Sequence, residues 1–151
     1  MKKDVTDTDM GLDKLLSDLN KLDSKVIKVG LFSEDRSYDG TMNIAKLGAM
    51  NEKGWGIPKR DFMMESAIVN EQDIASIMTS NASDMMFSGK SPEEVINKVG
   101  KSYENMVKGT IQDFSYPPNA EATIAIKGRN DPLVHHYKMI SSVKFKVVGK
   151  R

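Results

Sequence analysis

The chain has no cysteine, which excludes disulfide staples and thiolate metal sites and leaves stability to packing. No stretch reaches the roughly 18 consecutive apolar residues of a bilayer-spanning helix. The opening MKKDVTDTDM has no apolar core of a secretory signal, so the protein is expected to be made and kept in the cytosol, away from membranes. Charge of one sign is lacking too: 22 Lys and Arg stand against 21 Asp and Glu. A net charge of +1 points by itself to neither a nucleic-acid binder nor a binder of acidic ligands.

Reactive constellations are equally scarce. The two histidines are the neighbours His135 and His136, which cannot share a helix face and point to opposite sides of a strand. Neither has a second histidine at metal-ligand spacing. Ser88-Gly89-Lys90-Ser91 holds the tail of a phosphate-binding loop but lacks its earlier glycine and the preceding strand. No serine is flanked as in a nucleophile elbow. The cluster Glu34, Asp35 and Asp39 has no defined ligand spacing and reads as a solvated turn rather than a cation site. These absences predict a protein that is not an enzyme and has no cofactor or metal.

What is present is helical periodicity, one strand at each end, and a sharply broken middle. The length of 151 residues suits a single domain, with residues 1–8 as a flexible start. Asp9 is positioned to cap a helix with Leu12, Leu15, Leu16, Leu19 and Leu22 as its apolar stripe and Asp13, Lys14, Asp18 and Lys21 opposite. Residues 26–32 read as a strand, and 33–40 as a polar loop. From Phe62 to Met86 an irregular helical pattern runs to Phe87-Ser88-Gly89-Lys90. Ser91-Pro92-Glu93-Glu94 then gives a helix start with capping serine, first-turn proline and glutamate three residues on. Val95, Ile96, Val99, Tyr103, Met106, Val107, Ile111 and Phe114 follow at helical spacing. After Tyr116-Pro117-Pro118-Asn119, a short helix capped by Asn119 and an extended segment both fit 123–126. A further short helix is expected over 133–141. Val143, Phe145 and Val147 alternate with Lys144 and Lys146 as a half-buried strand able to pair with 26–32. The predicted fold is α+β: a small antiparallel sheet packed against a long helical hairpin, 62–86 and 92–114.

The stretch Ile44–Ala67 contains the break. Gly54, Gly56 and Pro58 stop one helix, and the only tryptophan, Trp55, lies between the glycines. Its ring either closes the protein's own core or covers a partner. Charge is uneven along the chain: residues 1–75 hold 11 basic against 14 acidic side chains, residues 76–151 hold 11 against 7. Lys59, Arg60, Lys127, Arg129, Lys138, Lys144, Lys146, Lys150 and Arg151 would form a basic stripe if brought together. Few aromatics interleave with them, which fits proximity to DNA better than reading of its sequence.

A set of short motifs follows in order: Val29-Gly30-Leu31, Ile44-Ala45, Asn51-Glu52-x-Gly54, Ile57-Pro58-x-Arg60-x-Phe62, Pro117-Pro118-Asn119, Thr123-Ile124-x-x-Lys127-Gly128, Pro132-Leu133-Val134 and Ser142-Val143. This order resembles the tail-completion and neck (head–tail joining) proteins of tailed bacteriophages and the related Mu-like virion morphogenesis proteins. The resemblance spans about residues 25–148. Members often read Arg-Pro-Phe where this chain has Arg60-Asp61-Phe62, and Thr-Gly near its His135-His136-Tyr137. It implies a structural virion protein without enzymatic activity, assembled in host cytoplasm as a ring, often a hexamer, at the virion neck or tail. Its partners would be further copies of itself, the head connector or adaptor, and tail-tube or terminator proteins. A tail terminator capping the tube is a second reading, and a small basic-faced nucleic-acid-binding protein a third. Head-to-tail rings need two different complementary patches. Glu34, Asp35 and Asp39 in the loop and Glu52, Trp55, Lys59 and Arg60 in the broken segment are the candidate assembly contacts.

Overall fold

The structure, a computed structural model, describes residues 11–34, 40–134 and 137–150. The predicted cap Asp9, the N-terminal residues 1–8, Asp35, Asp39, His135, His136 and Arg151 lie outside them. In chain order the elements are α1 (Leu12–Asp23), β1 (Lys25–Leu31), α2 (Ile44–Lys53), α3 (Phe62–Val69), α4 (Glu71–Ser88), α5 (Pro92–Asp113), α6 (Glu121–Lys127), α7 (Lys138–Ser142) and β2 (Val143–Gly149).

The central element, α5, begins as its sequence dictates. The Ser91 side chain accepts from the Glu94 backbone N–H at 3.3 Å, and the Glu94 carboxylate accepts the Ser91 N–H at 2.7 Å. Its apolar face is long enough for neighbours on several sides: α1, α3, α4, α7 and both strands pack on it. Val107 and Ile111 are fully buried there with Ile44, Phe62, Phe114, Leu133, Met139 and Val143. Burial of each such aliphatic side chain contributes about 1.5–3 kcal/mol. Gly100 allows β2 to approach closely, because a methyl group there would run into the Phe145 ring.

The sheet has two antiparallel strands, β1 and β2, in register from Lys25 opposite Gly149 to Leu31 opposite Val143. The Lys150 N–H donates to Ser24 O at 2.8 Å, continuing the ladder past its end. That bond sets the alternation, so Lys25, Ile27, Val29 and Leu31 turn their backbone groups away from β2. The architecture is α+β, with helices packed against a small antiparallel sheet, and α4 and α5 form an antiparallel-type hairpin beside it.

Four expectations need correction. The predicted helix 62–86 is two helices divided at Asn70. The Asn70 side-chain amide donates to Ser66 O at 2.8 Å, a local bond that competes with helix continuation, and Glu71 and Asp73 in the next turn favour a new N-terminus. Asn119 does not cap α6; Ala120 occupies that position, because the Asn119 side chain is engaged elsewhere. The expected helix over 133–141 is shortened to α7, which starts after Tyr137 at a positive φ of 54°, while Leu133 and Val134 are buried ahead of it. Finally, Asp18 does not project into solvent from the polar side of α1. Only 5% of it is exposed, and Lys14 and Lys21 cover it at 2.9 and 3.0 Å.

Candidate functional site

The broken segment between α2 and α3 is held by backbone bonds and two charged side chains. Asn43 caps α2 through its side-chain oxygen, 2.8 Å from the Ala45 nitrogen. Gly54 ends that helix at a φ of 71°, where a side chain would be strained. The Trp55 N–H then returns to Met50 O at 3.0 Å, and the Arg60 N–H to Asn51 O at 2.7 Å. Glu52 reaches across the loop and accepts from Met63 N and Met64 N at 3.0 and 3.1 Å. It thereby satisfies two orphan donors in the first turn of α3, while Asp61, the residue at the cap position, pairs with Lys59 at 2.7 Å.

Arg60 lies inside the fold. Its Nε donates to Pro117 O and its Nη2 to Pro118 O, both at 3.0 Å, with Asn119 Oδ1 at 3.5 Å. No ion pair to Arg60 occurs among the described residues, and burial pushes its guanidinium pKa down. The charge is compensated by carbonyl dipoles, each such bond contributing about 1.5–3 kcal/mol. These bonds tie the break after α2 to the Tyr116–Asn119 turn, which includes a cis Tyr116–Pro117 peptide.

Residues far apart in the motif order meet here. Asn51, Pro58, Arg60, Asn119, Lys127 and Leu133 all line one open cavity of about 410 Å³ between α2, α6 and the 57–60 and 130–133 segments. Lys127 donates to Asp131 O at 2.5 Å. Its ammonium pKa is lowered by burial and by Arg129, effects that Asp131 opposes and Arg60 reinforces.

Of the sequence-derived contacts, Glu52 and Arg60 are therefore engaged within the chain itself, whereas Trp55 and Lys59 face outward. Trp55 is 61% exposed, so its ring does not close the core. Glu34 pairs with Lys146, and this bond is the first cause of its lowered carboxyl pKa; Asp35 and Asp39 are outside the described residues. The basic stripe is largely occupied. Lys59 pairs with Asp61, Arg129 with Asp131, Lys146 with Glu34 and Lys150 with Asp23, and Arg60 is buried.

Two apolar faces lie open. On α1, Leu12, Leu16 and Leu19 are exposed, and only the edge of the stripe at Leu15 and Leu22 meets the body. On α3, Phe62 and Ser66 are buried while Met64, Ile68 and Val69 are exposed. The signal was there: FMMESAIV is apolar on every side, a pattern that fits a helix covered all round. Among the described residues no group of three His, Asp or Glu is placed to hold a metal ion, and no helix is long and apolar enough to cross a membrane. Compared with known proteins, the chain matches no protein family, no curated protein and no solved structure.

Proposed function

We propose that the protein is a structural virion component of a tailed bacteriophage, a ring-forming neck or tail-completion subunit between head connector and tail tube. The observation that carries the reading is the meeting of the ordered motifs. Asn51, Pro58 and Arg60 come from one end of the resemblance and Asn119, Lys127 and Leu133 from the other, yet they line one cavity. Arg60 additionally bonds directly to the Pro117-Pro118-Asn119 motif. Motifs that resemble a family in order and also build one structural knot support the resemblance more than order alone.

The surface supplies what a ring subunit uses. A head-to-tail contact takes two unlike patches, and α1, α3 and Trp55 beside the glycine break each expose apolar side chains. Exposed aromatic anchors of this kind carry a large share of interface energy. The division of charge between the two halves of the chain adds a crude complementarity.

The test is head–tail joining by variants, together with the position of the protein in the assembled particle. Trp55→Ala and Lys59→Glu should fold with unchanged circular dichroism and lower the yield of joined particles. Loss of one hot-spot contact, at least about 2 kcal/mol, corresponds to a fall of more than tenfold in an association constant. Wild-type yield from both folded variants, or a position elsewhere than between connector and tail tube, overturns the proposal.

A further inference from the structure

Asn119 is nine-tenths buried at the wall of the 410 Å³ cavity, and its side-chain nitrogen has no hydrogen-bond partner. The amide orientation is not arbitrary. Its Oδ1 faces the Arg60 Nη2, and the reverse assignment would set an NH2 group against a guanidinium donor. That nitrogen is itself closed to solvent, so it marks a wall short of acceptors without reaching the cavity.

The charges around it are unbalanced in the same direction. Arg60 and Lys127 both line the cavity, and among the described residues neither forms an ion pair with a carboxylate. Arg60 is held by carbonyls and Lys127 by Asp131 O. The Asp131 carboxylate is spent on Arg129 at 3.0 Å. Much of the remaining wall is apolar, from Leu47, Ile57, Ile126 and Met139. Two cations in an apolar-walled cleft match an anion with a hydrocarbon part better than a compact, strongly hydrated one.

We propose that this cavity binds a carboxylate carried on an apolar stem, its oxygens against Arg60 and Lys127 and its stem along Ile57, Leu133 and Met139. The inference does not depend on the neck assignment. A glutamate presented by a protein partner and a free carboxylic acid share the required chemistry.

Backbone amide shifts of Asn119, Thr123, Lys127 and Leu133 under titration with hexanoate, hexanamide and inorganic phosphate test it. Hexanoate is expected to saturate these shifts, while hexanamide, alike in shape but uncharged, leaves them in place. Lys127→Met should weaken hexanoate at least about tenfold, a loss of ~1.4 kcal/mol. Asn119→Asp, which supplies an internal carboxylate beside Arg60, should abolish the response. Equal binding of hexanamide, saturation by phosphate at lower concentration than hexanoate, or no saturable shift overturns the proposal, as does unchanged affinity in folded Lys127→Met. Should that variant fail to fold, the hexanoate–hexanamide contrast on the unaltered protein decides alone. Acetyl-Leu-Glu-Leu-amide separates the two sources: saturation below the hexanoate concentration supports a partner's glutamate, and saturation above it a small molecule.

Discussion

Glu104 keeps its charge with only 5% of its surface exposed. Burial alone would raise its carboxyl pKa, but hydrogen bonds from Lys101 and Lys108 at 2.6 and 2.7 Å outweigh that effect and hold it below the ordinary range. The second carboxylate oxygen accepts the Phe145 N–H at 3.2 Å, joining α5 to β2. A carboxyl depressed in the folded chain gives stability that is complete above its unfolded pKa, about 4.3, and is lost as pH falls through the folded value. Glu104→Gln should therefore lower stability at neutral pH by about 1–2 kcal/mol. In acid its urea midpoint should fall less steeply than that of the wild type, the two converging at low pH. Parallel acid limbs would refute this role. The spacing of Lys101, Glu104 and Lys108 on one helix was legible in the sequence, but the burial was not, because β2, which covers Glu104, is some 40 residues away. Arg60 was harder still. An arginine in a glycine-rich break reads as surface, and only the fold brings the Pro117 and Pro118 carbonyls to it.

Among the elements, α5 and the paired strands were the readable ones, because their periodicity is strong and their start and stop signals agree. The run 62–86 was misread as continuous, since its apolar spacing carries through Asn70 and the interruption comes from a side-chain bond to Ser66. Periodicity also reports which side of a helix is apolar without saying whether anything lies against it, so α1 looked packed when most of its stripe is open. This leads to an element-level expectation. Leu16→Ser and Ile68→Ser act on side chains that the folded chain leaves about half or more exposed, so each should change unfolding free energy by less than about 0.5 kcal/mol. If these faces are assembly surfaces, the same variants should reduce ring formation or head–tail joining. An unfolding loss near 2 kcal/mol would show instead that the faces are packed within the chain's own fold.

For the whole molecule, the sheet is made from the first and last strands among the described elements, with Leu31 opposite Val143. Pairings of such long sequence separation close a large loop before they return any free energy, which slows folding relative to local helix formation. Helical signal in stopped-flow refolding should accordingly recover before protection of the β1 and β2 amides, and simultaneous recovery would refute that order. During synthesis the consequence is a period of exposure. At roughly 5–20 residues per second, β1 emerges several seconds ahead of the strand that will pair with it. Through that interval both edges of Lys25–Leu31 are open, and a polysome carries many such nascent edges close together. Lys25 and Lys28, interrupting the apolar run of β1, are placed to act as gatekeepers that keep neighbouring chains from pairing.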